Sequence, residues 1–147
     1  GLAARDSLRL EAGLCLHGHD IDTGTTPVEA GLMWAIPREL RQIGTFVGAA
    51  ALRTAIAAGP SRKRVGLKPE GRQPVRDGAE LLDAEGRQAG RVTSGGFGPS
   101  VGAPVAMGYV ATALAAPGTR LFAEVRGNRV PVLVHPLPFT QHRYRKG

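Results

Sequence analysis

The chain has 147 residues, of which 42% are hydrophobic and 21% charged, and it carries a formal net charge of +7. These values are typical of a globular chain with a buried core and exclude a disordered or fibrous one. No apolar run approaches the roughly 20 residues of a membrane span, so we expect a soluble compartment and no membrane partner. Cys15 is the one cysteine and lies between Leu14 and Leu16. An internal disulfide is excluded, and the thiol is expected to act as a small buried hydrophobe.

The first sixty residues predict two helices, a loop and one strand. Residues 2–15 alternate leucines with charged side chains at helical spacing, and Gly18 follows as an end signal. The polar stretch 17–29 predicts a loop. The apolar run 32–36 stops at Pro37 and predicts a short buried strand. Residues 47–58 are rich in Ala and Leu and predict a second helix, closed by a Gly-Pro pair.

After residue 61 the pattern changes to short β-prone runs, separated by turn residues about every eight to twelve positions, which is the spacing of a barrel or sandwich. The predicted strands cover 64–68, 79–82, 88–94, 105–110, 121–125 and 130–135. We therefore predict a boundary between residues 59 and 62.

Three groups of polar residues resemble functional sites, but their patterns do not support that chemistry. Four potential metal ligands, His17, His19, Asp20 and Asp22, crowd into six residues with no His or Cys pair at ligand spacing elsewhere, so the acids are predicted to be helix or turn partners and no metal site is expected. The glycine-rich run 93–98 lacks the Lys-Ser or Lys-Thr of a phosphate-binding loop. It predicts a turn with a close backbone approach or a positive φ.

No hydrolase site is expected either. The sequence around Ser94, Ser100 and His135 has no nucleophile-elbow pattern, so these residues are not expected to form such a site.

A set of motifs in fixed order supports a specific family. They are residues 1–22, which include Ala4-Arg5-Asp6-Ser7, and 25–29, 64–67, 92–95, the neighbourhood of Ser100, 105–110, 125–127 and 138–139. In order and spacing they resemble the C-terminal portion of aminomethyltransferases, the tetrahydrofolate-dependent T-proteins of the glycine cleavage system. At residue 17 the family commonly has tyrosine, where this chain has His17.

The resemblance implies an α+β fold in two parts. Residues 1–60 would be the C-terminal tail of a folate-binding α/β core, and residues 61–147 would form a C-terminal antiparallel β-barrel. Family members are longer, and their acid–base aspartate lies in the part that this chain does not resemble. The resemblance therefore implies no catalytic residue within this chain, and we expect no transferase activity from the chain alone.

The resemblance also implies a reaction and its partners. The aminomethyl group carried on the lipoyl arm of the H-protein would release ammonia, while its one-carbon unit passes to tetrahydrofolate and gives methylenetetrahydrofolate. The expected partners are the lipoyl-carrying H-protein and tetrahydrofolate as co-substrate. The expected compartment is the bacterial cytoplasm, or the mitochondrial matrix in a eukaryote.

Two residues correspond to substrate contacts of the family. Arg5 matches its substrate-binding arginine, and a guanidinium suits a carboxylate or the electron-rich edge of a ring. Tyr144 matches a C-terminal substrate-binding tyrosine, whose ring can stack and whose hydroxyl can donate a hydrogen bond. Without the resemblance, Arg5 would be interpreted as a surface arginine paired with an acid one turn away, and Tyr144 as an aromatic in a frayed basic tail.

Two alternatives stay open from the sequence. The first is the folate-binding C-terminal part of a dimethylglycine or sarcosine oxidase, which would differ mainly upstream. The second is a non-catalytic basic β-barrel that binds protein or nucleic acid with steep salt dependence and no dependence on folate. Aromatic residues make up only 5% of the chain, which disfavours stacking on nucleic acid, and we expect no nucleic-acid partner.

Overall fold

A computed structural model describes residues 1–143, so Tyr144 lies outside the described residues. Three helices come first and six strands follow. The helices are α1 (Leu2–Glu11), α2 (Arg38–Ile43) and α3 (Ala49–Ala58); the strands are β1 (Arg62–Pro69), β2 (Glu80–Leu82), β3 (Gln88–Gly98), β4 (Ala103–Ala111), β5 (Arg120–Val125) and β6 (Asn128–His135). Short 3₁₀ turns cover Met33–Ala35 and Thr112–Leu114. Within the described part, no helix has both the length and the apolar character to cross a membrane.

The six strands form a closed antiparallel barrel in the order β1-β4-β3-β2-β5-β6. The barrel closes where β6 pairs with β1, with Gly66 opposite His135 and Pro69 opposite Val132. Closure leaves no unpaired sheet edge, the usual weak point of an antiparallel sheet. The predicted α+β fold with a C-terminal antiparallel barrel is therefore confirmed, as is each of the six predicted strands.

The barrel interior is filled by side chains from alternate strand positions, as the two-residue period of a strand requires. Its fully buried members include Leu67, Leu81, Val92, Val110, Leu121 and Val132. A second cluster lies on the outside of the barrel, where Leu10 of α1 packs on Val105 and Met107 of β4, with Leu137 and Phe139 against them. This second cluster fastens both α1 and the segment after β6 to the barrel.

The glycine-rich run lies inside β3, and its backbone is closely packed. A Cβ at Gly95 would overlap the backbone carbonyl oxygen of Val75. The predicted close approach is confirmed at this residue. The predicted turn is wrong, because the run pairs with β4 as far as Gly98, opposite Ala103.

The front part departs from prediction in three places. Residues 32–36 do not form a buried strand. They include the 3₁₀ turn, in which Trp34 is 72% exposed. Within residues 1–143, no strand lies beside them to supply backbone partners. Helix α1 ends at Glu11 instead of residue 15, because Gly13 takes φ +68° and reverses the chain. Helix α2 was not predicted.

Cys15 is a free thiol that is only half-buried. Partial burial raises its pKa above the ordinary value of 9.0, while the guanidinium of Arg64 opposes that shift. The expectation of full burial is thus met in part.

Candidate functional site

A groove of about 640 Å³ follows the exposed side of α1. Its second wall is the C-terminal segment, residues 136–143, which leaves β6 and runs back along the helix; residues 140–143 line the groove. Ser100, at the tip of the β3–β4 connection, closes one side. The lining combines apolar side chains with cations. The apolar residues are Ala4, Leu8, Ala12 and Leu14, and the cations are Arg5, Arg9 and Arg143.

Arg5 is exposed and faces this groove. The acid beside it, Asp6, is engaged elsewhere, because one oxygen lies 2.6 Å from a guanidinium nitrogen of Arg9. Within residues 1–143, no side-chain hydrogen bond or ion pair engages the Arg5 guanidinium. The interpretation of Arg5 as a surface arginine paired with a nearby acid is therefore wrong, and its charge is available to a ligand.

Asp20 orients the helix that carries Arg5. Its side chain is buried, with one oxygen 2.5 Å from the Arg9 guanidinium and 3.0 Å from the Leu16 amide. The other oxygen accepts hydrogen bonds from the hydroxyls of Thr93 at 2.6 Å and Ser94 at 2.7 Å, both on β3. One carboxylate thus joins α1, the loop after it and the barrel wall.

The rest of the loop is held to the barrel by a second set of contacts. The Tyr109 hydroxyl donates to the backbone carbonyl of Asp20 at 2.7 Å, and burial raises the pKa of this tyrosine to about 12. The Arg62 guanidinium lies over the Tyr109 ring, 4.6 Å from its centroid, and pairs with Glu29 at 2.9 Å. That pairing lowers the pKa of the Glu29 carboxyl. These contacts link the loop to β1 and β4.

Glu11 is the one acid among the described lining residues of the groove, and one oxygen of its carboxylate is engaged by the protein. It is 3% exposed, and one oxygen accepts the backbone amides of Ser100 at 2.6 Å and Val101 at 3.1 Å. Two backbone donors on one oxygen make that part of the carboxylate a structural acceptor, which ties the end of α1 to the β3–β4 connection.

A neighbouring cavity of about 460 Å³ shares Ala12, Leu14 and His142 with the groove and adds Trp34 and Arg64. The Arg64 guanidinium donates to the backbone carbonyls of Ala30 at 2.8 Å and Gly13 at 2.9 Å. It therefore clamps the turn after α1 to the loop, and its role here is structural.

The polar residues that were set aside on the sequence have structural roles. Asp22 accepts the amide of Gly24 at 2.8 Å and so stabilises a turn, which, with the Asp20 contacts, confirms that the loop acids are turn and helix partners. Ser94 donates to Asp20, whereas His135 stacks on Phe139 with centroids 5.2 Å apart. Across residues 1–143, no group of three or more His, Cys, Asp or Glu is arranged to hold a metal ion.

Two family models match successive parts of the chain. Residues 62–141 match the family model described as the glycine cleavage T-protein C-terminal barrel domain, and residues 1–39 match that of the GCVT N-terminal domain. The chain belongs to the glycine cleavage T-protein family. The resemblance drawn from the motifs of this T-protein family is thus confirmed.

Individual T-protein relatives are similar over nearly all of the chain. The mitochondrial aminomethyltransferase of Gallus gallus is 52% identical over 98% of this chain, and that of Flaveria trinervia is 47% identical over 99%. The crystal structure of the glycine cleavage system aminomethyltransferase T from Bartonella henselae superposes with a TM-score of 0.95 at 58% identity over 99% of this chain. These relatives favour neither the oxidase nor the binding-module alternative.

The chain spans only part of each relative. It covers 36% of the length of the two mitochondrial enzymes and 40% of the Bartonella henselae chain. What this family member does as a whole therefore depends on more than the groove described here.

Sequence reasoning located Arg5 through the resemblance but missed the residues that build the groove around it. Glu11 reads as a surface acid of an amphipathic helix, and His142 as part of a basic tail. The one available signal was Gly13, which marks the helix end where both residues make their contacts.

Proposed function

We propose that this chain forms the substrate-side portion of a tetrahydrofolate-dependent aminomethyltransferase, with Arg5 and Tyr144 as folate contacts. The observation that carries the proposal is the groove along α1, which leaves the Arg5 guanidinium unpaired among the described residues beside an apolar wall. Two relatives named aminomethyltransferase, at 52% and 47% identity, support the same activity.

The chemistry of the groove fits tetrahydrofolate. That molecule joins a polar, partly saturated pterin and a flat, apolar benzoyl ring to a glutamate tail with two carboxylates. Leu8 and Leu14 offer an apolar surface to the rings, and Arg5 and Arg143 offer guanidinium groups to the carboxylates or the ring edge. The described lining carries one acid, Glu11, and three arginines, so its charge is positive on balance. The net +7 charge attracts anionic partners by steering, which suits the folate and an acidic carrier protein.

Within the whole enzyme, the H-protein would deliver its aminomethyl-lipoyl arm, ammonia would leave, and tetrahydrofolate would take the one-carbon unit. The amine leaves only when it is protonated, so the reaction needs an acid–base group near the attacking folate nitrogen. The one carboxylate among the described lining residues, that of Glu11, is tied through one oxygen to two backbone amides. We therefore propose that this chain binds the folate and leaves proton transfer to another part of the enzyme.

The proposal includes an organisation in two parts and a compartment. Residues 1–60 would belong to the folate-binding core and 61–147 to the barrel domain; the support is that all three helices end by Ala58 and all six strands begin at Arg62 or later. The compartment would be the mitochondrial matrix in a eukaryote, as in the names of the relatives, or the bacterial cytoplasm.

The test is calorimetric titration of tetrahydrofolate into this chain and into Arg5→Ala at moderate salt. We expect binding in the micromolar range, weakened at least about tenfold in the variant, since a hydrogen bond to a charged group is lost. Arg38→Ala is the matched control, because Arg38 is an exposed helical arginine that does not line the groove.

Equal affinity in Arg5→Ala and the wild-type chain would refute the role of Arg5. Absence of binding by the wild-type chain would refute the proposal that these residues alone form a folate site. Tyr144→Phe separates a hydroxyl hydrogen bond from ring stacking, since only the hydroxyl is removed. A steady-state assay with the aminomethylated H-protein should give no turnover with this chain alone.

A further inference from the structure

The carbonyl groups at the C-terminal end of α1 are capped in two different ways. A helix leaves its last four carbonyl oxygens without partners inside the helix. Here Gly13 donates to Leu10 at 3.0 Å and Leu14 donates to Arg9 at 2.8 Å, with Gly13 at φ +68°, which together form a Schellman motif. This local motif leaves the carbonyls of the next two residues to be satisfied from elsewhere.

Those two carbonyls are satisfied by the C-terminal segment. The Glu11 carbonyl accepts the backbone amides of Phe139 at 2.9 Å and Thr140 at 3.3 Å. The Ala12 carbonyl lies 2.9 Å from Nε2 of His142. Because a carbonyl oxygen only accepts, this contact requires the ring tautomer that carries a proton on Nε2. The helix end is therefore completed by residues from the other end of the chain.

The same junction sets the position of every wall of the groove. Through its carboxylate, Glu11 holds Ser100 at the tip of the β3–β4 connection; through its carbonyl, it holds Thr140 in the C-terminal segment. Gly98 permits this, because a Cβ there would lie 2.9 Å from the Glu11 carboxylate. The helix bearing Arg5, the strand connection and the C-terminal segment are thus tied together within one helical turn.

We propose that His142 is a positioning residue: by capping the Ala12 carbonyl, it fastens residues 140–143 against α1 and so sets the width of the groove that Arg5 faces. His142 is exposed and lies outside both apolar clusters, so its replacement removes no side chain from either cluster. The inference rests on the proposed function only for the identity of the ligand, since the attachment of residues 140–143 to α1 follows from the contacts.

The attachment of residues 140–143 to α1 is tested first without any ligand, by residue-level amide hydrogen exchange in His142→Leu and His142→Gln. Leucine keeps bulk but removes the donor, whereas the glutamine amide carries a donor at about the reach of the histidine Nε2. We expect exchange of the Phe139 and Thr140 amides to accelerate roughly two- to tenfold in His142→Leu, the effect of losing one hydrogen bond, and to return close to wild type in His142→Gln.

Two controls distinguish a local loosening of the C-terminal segment from a general loss of stability. The Val92 amide, which donates to Ala79 at 2.9 Å in the barrel, should exchange at the same rate in all variants. His19→Leu removes an exposed imidazole from a loop that does not line the groove, and it should leave Phe139 and Thr140 unchanged. Unchanged exchange at these two amides in His142→Leu would overturn the inference. So would acceleration that His142→Gln fails to reverse.

Tetrahydrofolate titration then tests the positioning role. We expect His142→Leu to weaken binding roughly two- to tenfold and His142→Gln to restore it. Exchange that changes as expected while the affinity stays at the wild-type value would overturn the positioning role. If the wild-type chain binds no tetrahydrofolate, the proposed function fails for this chain, and hydrogen exchange alone decides whether His142 fastens the segment.

Discussion

Replacement of Asp20 by asparagine should destabilise the chain far more than the same replacement two residues later. Asparagine keeps an oxygen for the hydroxyls of Thr93 and Ser94, but its amide group faces the Arg9 guanidinium and the Leu16 amide, which are both donors. The Arg9 side chain, 11% exposed, would keep only its pairing with Asp6, whose side chain is 55% exposed.

Removing one partner of a buried ion pair costs about 3–5 kcal/mol. Because Arg9 retains Asp6, we expect the lower end of this range, about 3 kcal/mol, which for a chain of this length corresponds to a fall in Tm of roughly 6–12 °C. The measurement is the free energy of unfolding from urea denaturation, with the m-value checked against wild type.

The matched control is Asp22→Asn, in the same loop. Asp22 is exposed and stabilises a local turn through Gly24 and Thr25, and asparagine can accept the same hydrogen bonds. Its effect should be much smaller. Equal destabilisation by the two variants would refute the assignment of Asp20 as the buried link between α1 and β3.

Three further predictions concern the barrel and its attachments. Gly95→Ala should lower the free energy of unfolding by about 2 kcal/mol or more, because its Cβ would overlap the Val75 carbonyl, whereas Gly71→Ala, with open space around its Cβ, should be close to neutral in the same denaturation experiment. Arg126→Asn should raise stability by about 0.5–1 kcal/mol in thermal unfolding. Residue 126 has φ +50° in the two-residue β5–β6 hairpin loop, a conformation that asparagine adopts more readily than arginine. A loss of stability would contradict this prediction. The Arg62 guanidinium lowers the pKa of the Glu29 carboxyl below its ordinary 4.5, so the ion pair should stabilise the fold above that pH and lose its contribution as the pH falls through the lower folded value. In unfolding measured from neutral to acid pH, Glu29→Gln should remove this part of the acid dependence. An unchanged pH profile would rule out a stabilising role for the pair.

The barrel was predictable because local signals and tertiary structure agree there. Gly86, Gly118 and Gly127 separate β-prone runs, and each lies in a connection between two strands. The glycines of 93–98 are the exception, since glycine is locally a turn signal but here lies in β3 to admit the backbone at Val75. The apolar run 32–36 is a second exception. Its composition favours a strand, but no strand of the described residues pairs with it.

The groove was only partly predictable, because its geometry depends on contacts between distant positions. Arg5 could be identified from a motif, since that motif is local. Asp20 contacts Thr93 across 73 positions, and His142 contacts Ala12 across 130 positions. Helical periodicity and turn residues carry no information about such pairs, so the roles of Asp20 and His142 emerge only from the three-dimensional structure.

The strand order also has a consequence for how the chain folds. The β2–β3, β3–β4 and β5–β6 pairs join neighbours in sequence, whereas β1–β4, β2–β5 and β1–β6 join distant segments. Pairing of distant segments costs loop-closure entropy before any contact compensates for it, so such pairs form late and slow folding. The β1–β6 pair, which joins the first strand to the last, should therefore be among the last to form. Helix α1, which precedes β1 yet packs on β4, should reach its native position no earlier than β4 is formed.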